Sequence, residues 1–67
     1  MGRQGLPPEG VEELRLALRT RLRIALDCVS RALRATDVSD ALDAVTLLHE
    51  EAEKALRVAE RWKRAAG

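Results

Sequence analysis

Few side chains in this chain could do chemistry, and each stands nearly alone. His49 is the only histidine and Cys28 the only cysteine among 67 residues. His49 and Glu53 are four positions apart, so a helix would set them one turn apart on one face, where imidazole and carboxylate could grip a metal ion. A carboxylate-bridged di-iron bundle, however, needs Glu-x-x-His motifs on inward faces, and the chain has none. His49 followed by Glu50 also carries the bare elements of a phosphoacceptor, as in sensor-kinase dimerisation hairpins. There the histidine lies on the first helix within a fuller motif. The plainer expectation is a structural or interfacial histidine. Cys28 has no adjacent His or Lys to activate it and reads as a small buried hydrophobe, the alternative being a cross-chain disulfide or a reactive thiol.

Arg15, Arg19 and Arg23 follow one another at every fourth position, with Arg31 and Arg34 farther along. A ridge of this kind could track the phosphates of RNA or DNA. The net charge is only +1, though, and with one Trp and no Phe or Tyr the chain lacks a stacking platform for single strands. A solvated, partly ion-paired face is the expectation for these arginines. Trp62 either closes the core or anchors a partner. No pair of titratable groups converges on a recognisable site, so the expectation is a non-enzymatic protein without metal or cofactor.

What must position these residues is helix. All four Gly and both Pro lie near the ends, and from residue 11 to residue 66 there is no strong helix breaker. Residues 1–7 read as a flexible lead-in. Pro8 suits a first helical turn, and Glu9, Glu12 and Glu13 suit its positive dipole end. Helix 1 is expected from about residue 8 to 35, with an apolar stripe of Val11, Leu14, Leu18, Leu22, Ala25, Val29, Ala32 and Leu33. A turn falls at about residues 36–38, where Asp37 is a good N-cap and Ser39 an alternative one. Helix 2 then runs from about 38 to 65. Its expected seam is Val38, Ala41, Val45, Leu48, Ala52, Ala55, Ala59 and Trp62, apolar at a strict 3-4 spacing. Half of it is alanine, which permits close approach of a second helix.

Charge predicts the same hairpin independently. Residues 15–34 hold six arginines and one acid, a balance of +5; residues 37–53 hold six acids and no Lys or Arg, −6; residues 54–64 hold five bases and Glu60, +4. A short turn makes the helices antiparallel, setting the acids beside the arginines and the basic C-terminal stretch beside Glu9, Glu12 and Glu13. Exposed pairs contribute only ~0–1 kcal/mol each, so the pattern specifies orientation more than stability.

Sixty-seven residues make one domain at most, and a chain of that size buries only ~60% of its unfolded surface. With a single cysteine and no zinc cluster, oligomerisation is the remaining way to complete a core. Apolar residues off the main stripes point the same way. Leu16 and Ile24 share a row with Thr20 on helix 1, and Leu47 and Val58 share an azimuth on helix 2, which together suggest a second interface. No apolar run is long enough for a membrane span, the N-terminus has no signal-peptide core, and the free thiol suits a reducing cytoplasm.

The segment Leu48-His49-Glu50-Glu51-Ala52-Glu53 resembles the Leu-His-Asp-His-Ala-Asp stretch in the second helix of the repressor-of-primer family. The distance from Asp37 to His49 and the seam phase at Val45, Ala52 and Ala59 are similar too. The resemblance covers about residues 36–62. It implies a helical hairpin that dimerises into an antiparallel four-helix bundle, and, by the family's habit, binding to paired RNA loops. Helix 1 departs from the family, lacking its polar and aromatic contact pattern.

The expectation is therefore an all-α antiparallel hairpin that dimerises into a four-helix bundle or pairs with helices of another protein. It would act as a non-enzymatic assembly module in the cytoplasm. The alternatives are an RNA or DNA binder using Arg15, Arg19 and Arg23, and a metal or phosphotransfer bundle using His49.

Overall fold

A computed structural model describes residues 10–67. The lead-in at 1–7 and the helix start at Pro8 and Glu9 lie outside the described residues. Two helices, α1 (Val11–Arg34) and α2 (Val38–Ala66), of 24 and 29 residues, pack against each other as a hairpin with no strand among the described residues.

The termini follow local chemistry. The Gly10 N–H donates to Glu13 Oε1 at 3.3 Å, so an acid in the first turn satisfies a backbone donor that the helix itself cannot. α1 ends at Ala35, whose extended backbone (φ −64°, ψ 138°) turns the chain out of the helix. Asp37 is the N-cap of α2, and its Oδ1 accepts from the Asp40 N–H at 2.8 Å. Three residues outside helical geometry are thus enough to reverse the chain.

The helices meet along a heptad seam, with positions lettered a to g. On α1 the a positions are Leu18, Ala25 and Ala32, and the d positions are Leu14, Arg21, Cys28 and Ala35. On α2 the a positions are Ala41, Leu48, Ala55 and Trp62, and the d positions are Ala44, Glu51 and Val58. Each of these residues is buried or half-buried. Leu14, Cys28, Ala44, Ala55 and Val58 form the buried core. In mid-seam, Arg21 Nη1 donates to Glu51 Oε1 at 3.4 Å, and Glu51 Oε2 accepts from Lys54 Nζ at 3.3 Å. The Glu51 side chain is only 14% exposed. This cross-helix pair fixes the register: Leu14 stands level with Val58, Arg21 with Glu51, and Cys28 with Ala44.

The seam differs in phase from the one expected for helix 2. Ala41, Leu48, Ala55 and Trp62 belong to both. Val38 (83% exposed), Val45 (50%) and the exposed Ala52 do not face α1, and Ala59 is only half-buried. Val58, expected on a second interface, is 8% exposed in the core instead. The expected seam ran along a and e, and the actual one runs along a and d, a rotation of about 50° at ~100° per residue. The cause is the ion pair. An all-apolar heptad exists only on the a/e flank, because the a/d flank carries Glu51, which becomes tolerable there only opposite Arg21. On α1 the same rotation exposes Leu22 and Leu33, and Val11 is exposed as the first residue of the helix, while Leu14, Leu18, Ala25, Val29 and Ala32 stay at least half-buried. Cys28 lies within the seam, buried.

Candidate functional site

The residues with chemical potential do not converge. His49 is exposed, and its Nε2 lies 3.2 Å from Glu53 Oε2 on the same helix. Among the described residues no group of three or more His, Cys, Asp or Glu side chains could hold a metal ion. Cys28 is a buried free thiol with alanines at the neighbouring seam positions, Ala25 and Ala32. Arg15 is held by Glu12 one turn back, Nη1 to Oε2 at 3.3 Å, and Arg19 and Arg23 are exposed. At successive fourth positions these three arginines curl around α1 from e to b to f, so they form no straight track along one face.

What does converge is apolar surface. Eleven large hydrophobic side chains are 38% exposed or more, against five residues in the core. They are not scattered. On α1, Leu22 and the half-buried Val29 occupy e, and Leu26 and Leu33 occupy b. On α2, Val38, Val45, Ala52 and Ala59 occupy e, and Leu42, His49, Leu56 and, toward the open end, Lys63 occupy b. Position e flanks a, and b flanks e, so on each helix these residues form a second stripe beside the first. In an antiparallel pair the e flank of one helix lies on the same side as the e flank of the other. The two stripes are therefore adjacent and make one broad face, formed by both helices.

The register orders this face into rungs. From the turn outward the level pairs are Leu33 with Val38, Val29 with Leu42, Leu26 with Val45, Leu22 with His49, Arg19 with Ala52, and Arg15 with Leu56. The half nearest the turn is wholly apolar. The open half is mixed, with Leu22, Arg19 and Arg15 on α1 and His49, Ala52 and Leu56 on α2. The outer edges also differ in sign: Arg19 and Arg23 border the face on α1, whereas Glu53 and Glu60 border it on α2.

The other expected surface is much smaller. Leu16, Ile24 and Leu47 are exposed, but Ile24 and Leu47 lie on the g flank, on the opposite side of the hairpin, and Leu16 lies at the outer edge of α1. The broad face is hidden in the sequence because Val38, Val45, Ala52 and Ala59 of α2 fall on the apolar spacing expected for the intramolecular seam. The signal that reveals it is Leu42 and Leu56: two leucines fourteen residues apart, at a position that neither seam reading on a/d nor on a/e employs.

No helix among the described residues is long and apolar enough to cross a membrane. No protein-family model matches the chain, and no curated protein or solved structure is significantly similar to it.

Proposed function

We propose that this hairpin is a non-enzymatic assembly module that acts by docking helices onto its e/b face, in a reducing cytoplasm where Cys28 stays a thiol. The observation that carries this reading is the face itself. A folded chain that leaves Leu26, Leu33, Val38, Leu42, Val45 and Leu56 on one side has completed only half of a core. Six rungs over about 27 Å of helix, across two helices ~8–10 Å apart, offer on the order of 500 Å² per partner. Counted on both partners that is roughly 1,000 Å², the lower end of the size of a specific interface. Alanines at both seams suit close helix packing, and the unbroken helical geometry presents the face as a rigid ridged surface.

The test is light scattering on the chain and on a Leu26→Asp, Leu42→Asp variant. Both positions lie outside the intramolecular seam, so the variant should keep its helicity. The chain should show a mass above 7.4 kDa and the variant should fall to that value. A chain that is monomeric at all concentrations and takes no helical partner, or a variant that assembles unchanged, overturns the reading.

A further inference from the structure

The face carries enough asymmetry to say what covers it and in which orientation. Two gradients cross on it. Along the helices it passes from wholly apolar at the turn to arginine-bearing at the open end. Across the helices it passes from a basic edge on α1, at Arg19 and Arg23, to an acidic edge on α2, at Glu53 and Glu60.

Resting on the docking reading above, we propose that the occupant is a second copy of this chain, related by a two-fold axis parallel to the helices. Both turns then lie at the same end, and each α1 packs against the partner's α2. Two hairpins can meet face to face by a two-fold in only two ways. An axis perpendicular to the helices puts the turns at opposite ends. It sets α1 over α1, basic edge on basic edge, and lays the arginine rungs of one copy over the apolar rungs of the other. An axis along the helices does the reverse on both counts. Apolar half meets apolar half, and the Arg19 and Arg23 edge meets the edge of the partner's Glu53 and the partner's Glu60. Like-charge contact at an interface edge is a strong discriminator even where the attractive pairs contribute little.

The parallel axis also fixes the register, because a two-fold rotation has no translation along its axis. Every residue keeps its height, so the level pairs within one hairpin are the level pairs between copies. Leu26 meets the level of the partner's Val45, and Leu33 that of the partner's Val38. Arg19 stands within one residue of the level of the partner's Glu53, whose own-chain neighbour is the equivalent His49 at 3.2 Å. Four helices result, each antiparallel to both of its neighbours.

A spin label at the turn reads the arrangement directly. Thr36 is exposed between the helices. In a Cys28→Ala, Thr36→Cys protein labelled at position 36, the proposed axis holds the two labels within roughly 25 Å, two or three helix diameters and linkers included. The perpendicular axis separates them by about 40 Å, the length of a helix. Mass is measured on the same labelled sample. A dimer with the short distance supports the proposal, and a dimer with the long distance overturns it while leaving the docking reading intact. A monomer, or an assembly larger than two, overturns the second-copy claim itself. As an independent arm, Arg19→Glu should weaken the dimer at least tenfold at low salt, and adding Glu53→Arg should restore it. A double variant no tighter than Arg19→Glu alone would count against the crossed pairing.

Discussion

Truncating Leu26 to alanine isolates the docking face from the hairpin's own core. The side chain is 62% exposed in the single hairpin, and it lies at b, away from the seam with α2. Alanine is at least as good a helix former as leucine, so α1 itself should not weaken. What is removed is surface that only a partner can cover. Complete burial of a leucine is worth roughly 1.5–3 kcal/mol, and the exposed share of it, less the methyl that alanine retains, is about 1–1.5 kcal/mol. A two-fold dimer loses this twice. The dissociation constant should therefore rise by about 2–3 kcal/mol equivalents, or roughly 30- to 150-fold. Sedimentation equilibrium over a range of loading concentrations reads that change, with circular dichroism as the check that helicity is retained. Self-association unchanged within threefold would refute the placement of Leu26 in an interface. Loss of helicity would show instead that Leu26 supports the hairpin internally.

Other expectations separate the core seam from the face. Val58→Asp puts a charge into a position 8% exposed and should unfold the hairpin, since an unpaired buried charge costs several kcal/mol; a cooperative melt near that of the parent would contradict the seam phase. Ala52→Glu, by contrast, lies on the exposed face and should leave a folded, helical monomer, seen as unchanged ellipticity at reduced mass. Replacing Arg21 and Glu51 together by Met and Leu should hold or raise the melting temperature, whereas Arg21→Ala alone should lower it by leaving Glu51 half-buried beside Lys54 only. Asp37→Ala removes the acceptor of the Asp40 N–H and should cost about 1 kcal/mol in chemical denaturation.

The hairpin was legible in the sequence because its signals are local. Absence of Gly and Pro from the interior, the N-cap at Asp37 and the alternation of charge blocks depend only on neighbours in the chain. Rotational phase was not legible, because it depends on the other helix. Glu51 reads as a surface residue until Arg21 is placed opposite it, and only then does the flank of Ala44, Glu51 and Val58 become the inner one. Once α2 is turned by that amount, Val38, Val45 and Ala52 change sides and join Leu42 and Leu56. An excess of apolar surface was apparent from composition and chain length. Its location was not, since Leu16, Ile24 and Leu47 were the visible candidates and they carry little of it.

The central claim is that the single hairpin is half of a core whose other half is supplied by association. Thermal unfolding of the unmodified chain at several concentrations tests it most directly. If association stabilises the folded hairpin, a hundredfold rise in concentration adds about 2.7 kcal/mol to the apparent stability by mass action. The midpoint should then climb by several degrees. A midpoint that stays fixed over that range, with a single cooperative transition, would mean that association adds nothing to the stability of the folded state.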